Sequence, residues 1–118
     1  MRTRVKICGI TREEDALAAA ACGADSIGLV FYPQSPRHIG IEQAARIAGL
    51  VPPFVTITGL FVNASPGDIE RVLHAVPLGL LQFHGQEINA ECTGYGLPFI
   101  KSIAMRNDTD VLTGMKQY

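Results

Sequence analysis

The strongest constraint on this chain of 118 residues is a repeated change of texture along its whole length. Short β-prone runs alternate with helix signals. The runs begin near residues 5, 26, 55, 79 and 99, so successive starts lie 21, 29, 24 and 20 residues apart. Strands alternating with helices at this spacing make βαβ units, whose strands are parallel and whose crossovers are right-handed. Five such units suit either a small doubly wound sheet or part of a (β/α)8 barrel, and periodicity alone does not choose between them. No linker, low-complexity stretch or shift in composition divides the chain, so residues 1–118 read as one segment.

The individual signals are local. Arg4 to Cys8 forms the first run, and Gly9 stops it. Thr11-Arg12-Glu13-Glu14 has the form of a capping box, and the Ala-rich stretch Asp15 to Cys22 ends at Gly23. Ser26 to Phe31 is nearly all apolar, as in a strand covered on both faces. Ile41, Ala44, Ala45 and Ala48 then recur at helical spacing, and Pro52-Pro53 closes that helix. Val55 to Val62 is the third run. Ser65-Pro66 reads as an N-cap with proline at the first helical position, followed by the stripe Ile69, Val72, Leu73 and Val76. Leu78 to Phe83 is the fourth run, with a short helix near Asn89 to Tyr95 and a fifth run over Phe99 to Ile103. Asp108-Thr109 is expected to open a last helix with Val111, Leu112 and Met115 on its inner side.

Composition excludes several classes. Ten Lys+Arg against eleven Asp+Glu leave a net charge of −1, without the basic stripe of a nucleic-acid binder. At 47% apolar residues the chain is too hydrophobic to be disordered. No apolar h-region follows the charges of Arg2, Arg4 and Lys6, and no apolar run reaches the length of a membrane span. Cys8, Cys22 and Cys92 match neither a disulfide framework nor a CxxC motif, which points to reduced thiols and a cytoplasmic protein. Cys22 and Cys92 are expected to be packing residues. His84, Glu87 and Cys92 match no recurring metal site, and the nucleotide-binding glycine motifs and the GxSxG elbow are absent.

In either α/β architecture, chemistry sits in the loops after the carboxyl ends of the strands. Cys8, Arg37, Asn63 and His84 fall there and are expected to converge, and Arg106 follows the fifth run. Cys8 is either a small buried hydrophobe or a thiolate whose charge Lys6 and Arg37 would favour. Arg37 sits between Pro36 and His38 in a proline-stiffened loop. It is either a solubilising surface group or a fork for a carboxylate or phosphate. His84 is either a strand-end cap or a pocket hydrogen-bonding group. His74 is expected at the surface.

The block Val5-Lys6-Ile7-Cys8-Gly9-Ile10-Thr11 resembles the opening signature of the phosphoribosylanthranilate isomerase family. Gly23 to Tyr32, Ser35-Pro36-Arg37, Gly59 to Asn63 and Leu81 to Gly85 follow in the family's order, with Pro98 to Lys101 as a weaker match. The resemblance covers essentially the whole chain. It implies an incomplete (β/α)8 TIM barrel with parallel strands one to five, lacking strands six to eight. It also implies the Amadori rearrangement of N-(5-phosphoribosyl)anthranilate to 1-(2-carboxyphenylamino)-1-deoxyribulose 5-phosphate, with no cofactor or metal. Cys8 would be the general base, Arg37 a substrate-orienting cation and His84 a lining residue of the same pocket. The family's acid is an Asp at the end of strand six and its phosphate site follows strands seven and eight, so the chain alone is expected to be inactive. Its expected partners are the small phosphosugar substrate and a complementing C-terminal segment, or a second copy through open sheet edges; neither nucleic acid nor membrane is expected.

Overall fold

The computed structural model describes residues 2–104 and 111–118; Arg106 and the expected helix start at Asp108-Thr109 lie outside the described residues. Five strands form one parallel sheet: β1 (Lys6–Cys8), β2 (Ser26–Val30), β3 (Thr56–Phe61), β4 (Leu80–Phe83) and β5 (Phe99–Lys101). Their spatial order is β1-β2-β3-β4-β5. A doubly wound sheet reverses its strand order at a switch point, and this sheet does not. Consecutive right-handed crossovers put every helix on one face, which is the winding of a (β/α)8 barrel. The choice that periodicity left open is thus made by topology.

Between the strands run α1 (Glu13–Ala21), α2 (Ile41–Leu50), α3 (Pro66–Ala75) and α4 (Asn89–Cys92), with α5 (Val111–Met115) after β5. Residues paired in a parallel register share a face. Ile27 beside Ile57, and Leu81 beside Phe99, therefore point to the helices. There they join Ala16, Ala44, Ile47, Ile69 and Val72 in the core. Phe31, Phe61, Phe83 and Phe99 run across this layer, with successive ring centroids 5.4, 6.4 and 6.0 Å apart.

The opposite face carries Lys6, Cys8, Ser26, Gly28, Thr56, Thr58, Leu80 and Gln82. The Ser26 and Thr58 hydroxyls are buried and lie 2.7 Å apart. Lys6 Nζ donates to Gln82 Oε1, from β1 to β4. Those strands are three spacings apart, roughly 14 Å along a flat sheet, so the bond requires both side chains to lean over a curled, concave surface.

Three local expectations are corrected. The capping box at Thr11 does not form: the helix starts later, with Arg12 at the N-cap and no side-chain cap. Instead Arg12 donates to both oxygens of Asp15 at 2.8 and 2.9 Å, and Glu13, Glu14 and Asp15 place negative charge against the helix N-terminus. Cys22 is exposed rather than packed, because it is the C-cap. There the Gly23 and Ala24 N–H groups donate back to Ala20 and Ala19, with Gly23 at φ +94°. Val111, Leu112 and Met115 are exposed, Leu112 at 70%. Gly114 of α5 lies beside Ile103, where a Cβ would come 3.3 Å from its Cδ1. Ser65 caps α3 as expected, accepting from Asp68 N–H at 3.2 Å, Cys92 is fully buried, and His74 is exposed.

Near the amino end of β2, Arg2 donates to both Asp25 oxygens, and Val5 N–H donates to the same carboxylate at 2.8 Å. The Arg2 hydrogen bond first, and then that of Val5, hold the Asp25 carboxyl at about 2, below its ordinary 3.8. A carboxyl depressed on folding stabilises the fold above its unfolded value and loses that contribution as pH falls through the folded one. Asp25→Asn should therefore be less stable than the parent at pH 6. Urea titrations of both should converge as pH falls from about 4 towards 2; a gap that stays constant over that window contradicts the assignment.

Candidate active site

The carboxyl ends of the strands form one rim, and the chain places its candidate residues along it. Cys8 is the last residue of β1 and lies on the concave face, opposite Gly28 of β2. A Cβ at Gly28 would lie 2.9 Å from Cys8 Sγ, so the missing side chain is what gives the thiol its place. The thiol is half-buried.

Gly9 follows at φ +82°, a left-handed conformation that lets its N–H and that of Ile10 both donate to Gly28 O. Arg37 lies directly over this glycine: a Cβ at Gly9 would come within 2.5 Å of its Cδ and Nη1. The guanidinium donates from Nη1 to Cys8 O at 3.2 Å. The loop holds it there because Ser35 Oγ accepts from Arg37 N–H at 3.1 Å, and because Ile39 N–H donates to Val30 O at 2.9 Å. Arg37 is thus a fixed cation beside the base candidate, still exposed and able to take an anionic group. Lys6 lies one step down the same face, engaged with Gln82.

Asn63 and His84 form the second half of the rim. His84 follows β4, and its N–H donates to Phe61 O at 3.0 Å while its side chain is exposed. Asn63 has φ +49°, and its Oδ1 accepts from Gln86 N–H at 2.8 Å. Beneath them lies Glu87, only 4% exposed, which accepts from Asn63 N–H at 2.7 Å and Gly85 N–H at 2.8 Å. Lys101 approaches the same carboxylate at 3.8 Å. Residue order predicts that Cys8, Arg37, Asn63 and His84 converge; the structure sets all four on one rim but as two groups, Cys8 with Arg37 and Asn63 near His84. Among the described residues, no hydrogen bond joins one pair to the other.

Glu87, Lys101, Gln82 and Gly28 were not identified as site-building residues. Gly28 carried a readable signal, since a glycine inside a strand marks close approach of a neighbour. The burial of Glu87 carried none, because a carboxylate in a polar loop ordinarily faces water. Among the described residues, no group of three or more His, Cys, Asp and Glu is arranged to hold a metal ion. No helix there is long and apolar enough to cross a membrane. A cleft of about 820 Å³ opens between the β2–α2 loop and α3, lined by His38, Asn63, Asp68 and Arg71 among others, but neither Cys8 nor His84 lines it.

The family model of N-(5'-phosphoribosyl)anthranilate (PRA) isomerase matches residues 5–118. The chain belongs to this family. It is 55% identical over 115 residues to the N-(5'-phosphoribosyl)anthranilate isomerase of Pseudomonas paraeruginosa, covering 98% of this chain and 54% of that protein. The phosphoribosyl anthranilate isomerase of Thermotoga maritima superposes with a TM-score of 0.91 at 42% identity, over 98% of this chain and 57% of that one. A phosphoribosyl anthranilate isomerase solved with reduced 1-(o-carboxyphenylamino)-1-deoxyribulose 5-phosphate gives the same TM-score and identity, over 98% and 60%. The chain spans about half the length of the curated relatives it matches.

The clearance at Gly28 gives a direct check. Gly28→Ala should slow alkylation of Cys8 by iodoacetamide several-fold while exposed Cys22 reacts as before, read by mass spectrometry of the labelled peptides. Equal rates at Cys8 in both chains would mean that the thiol does not occupy this space.

Proposed function

We propose that the chain supplies the general base and one wall of the substrate mouth of an N-(5'-phosphoribosyl)anthranilate isomerase. The observation that carries this is Cys8 Sγ set over the bare backbone of Gly28 with Arg37 fixed at the same strand end. In the reaction, an acid protonates the furanose ring oxygen and the ring opens to a Schiff base. The Cys8 thiolate then takes the proton from C2′, and the electron pair moves to give an enolamine. Tautomerisation of the enolamine gives the keto sugar, so atoms and electrons balance within one substrate. Arg37 takes the anthranilate carboxylate with its fork, and His84 donates or accepts along the sugar. The acid and the phosphate cradle come from strands beyond the five described, as the resemblance implies. Residues 1–118 then form the N-terminal part of the barrel, inactive alone. A reducing cytoplasmic setting suits its three free thiols.

Two features favour a partner that completes the sheet. Among the described residues, β1 pairs only with β2 and β5 only with β4, so both sheet edges are open there. Beside β1, Val5 and Ile7 are 45% and 40% exposed next to Ile10, Ala18 and Ala19, an apolar groove on the helix side. A following segment of the same barrel fills this groove in our reading, and in its absence a second copy does.

Mixing the chain with a separately made C-terminal segment of a relative should restore turnover of phosphoribosylanthranilate, followed by the loss of its fluorescence. Cys8→Ala should then lower kcat by about 100-fold or more, the usual worth of a positioned base, and Arg37→Ala should raise KM. Full activity with Cys8→Ala would contradict the proposal. By gel filtration, the chain alone should elute as a dimer or larger and shift when the segment is added. A strictly monomeric chain would remove the argument from the open edges.

A further inference from the structure

Glu87 is a buried carboxylate that the proposed chemistry does not use. We propose that it is a positioning residue: by gripping the ends of β3 and β4 from below, it sets Asn63 and His84 at the mouth. The proposal rests on the reading of His84 as a substrate-lining residue.

Each carboxylate oxygen takes one backbone donor, Oε2 from Asn63 N–H and Oε1 from Gly85 N–H. Asn63 returns a bond of its own, its Oδ1 accepting from Gln86 N–H, so the two loops are crossed-linked in both directions. This close approach depends on Gly85, where a Cβ would fall 2.6 Å from Asn63 Oδ1. Lys101 completes the frame from β5. Its ammonium lies 3.8 Å from Glu87 and donates to Gly85 O and Ser102 O, each at 2.8 Å. Gly85 is therefore held by its N–H through Glu87 and by its carbonyl through Lys101. Its neighbour His84 is anchored by its own N–H to Phe61. The imidazole is left exposed on a backbone with little freedom.

Charge and valence both matter here. A glutamine side chain has one acceptor oxygen and a donor NH2, so it satisfies one of the two amides and opposes the other. A buried ion pair adds little net stability over apolar packing of the same volume. Its distinctive effect at this place is to fix where two loops stand relative to each other.

The test uses the whole chain, isotopically labelled. In the wild type, couplings through hydrogen bonds should connect the Asn63 and Gly85 amide nitrogens to the Glu87 side-chain carbonyl carbon. In Glu87→Gln, hydrogen exchange at these two amides should accelerate about tenfold or more, the loss expected for a charge-assisted bond. Exchange at Leu29 and Ile57 should change by less than about twofold. In the turnover assay with the added C-terminal segment, KM should rise about tenfold with kcat little changed. Gly85→Ala leaves the carboxylate in place but drives a methyl group against Asn63, and it should reproduce the rise in KM. Absent couplings overturn the proposal. So do unchanged exchange and KM in both variants, or exchange that quickens equally at Leu29 and Ile57. A failure of the functional reading looks different: couplings intact and exchange quickened in Glu87→Gln, with KM unchanged there and in His84→Ala.

Discussion

The hydrogen bond from Lys6 to Gln82 ties the first strand of the sheet to the fourth. It exists because parallel strands in consecutive order, each covered by helices on the same side, curl away from those helices. The curl gives the sheet a concave face, and that face is unlike the other. The helix side is filled by isoleucine, leucine and a row of phenylalanines, while the concave side carries lysine, serine, threonine and glutamine bonded to one another. Lys6 is half-buried there, and Gln82 supplies its ammonium an acceptor across the curve. Everything at the rim inherits its direction from this curvature.

At the rim, the site is built as much by absent atoms as by present ones. Gly28 makes room for the Cys8 thiol, Gly9 for the Arg37 guanidinium and Gly85 for the Asn63 amide. In each case a candidate site side chain or a framing one lies where a neighbour's Cβ would be. Glycine contributes nothing to a core, so these positions lose packing in exchange for close approach of a reactive group to the backbone. The cost is met in the helix-side layer, where Leu29, Leu81, Phe61 and Phe83 are essentially fully buried.

Much of this was readable from residue order. The nearly all-apolar run from Ser26 declared a strand covered on both faces, and Ser65-Pro66 declared a helix start, because both signals depend on neighbours within a few residues. The strand-end placement of Cys8, Arg37, Asn63 and His84 follows from residue order, but their separation into two groups does not. The capping box at Thr11 failed since Arg12 found Asp15 and the helix began after it, a competition between two local solutions that the pattern does not weigh. The exposure of Leu112 and the burial of Glu87 were not legible, since both depend on which distant elements lie alongside. A carboxylate is buried only when two backbone amides and an ammonium from other strands converge on it, and nothing near position 87 announces Asn63 or Lys101.

In the proposed function, Cys8 and Arg37 face one substrate at the carboxyl end of the first strand. A crystal structure of the chain assembled with a C-terminal segment and bound to reduced 1-(o-carboxyphenylamino)-1-deoxyribulose 5-phosphate would show whether they do. The sugar C2′ should lie within about 4 Å of Cys8 Sγ, near van der Waals contact, with the carboxylate on the Arg37 fork. A ligand whose sugar lies away from Cys8, or whose carboxylate is held by other groups with Arg37 turned to solvent, would contradict it.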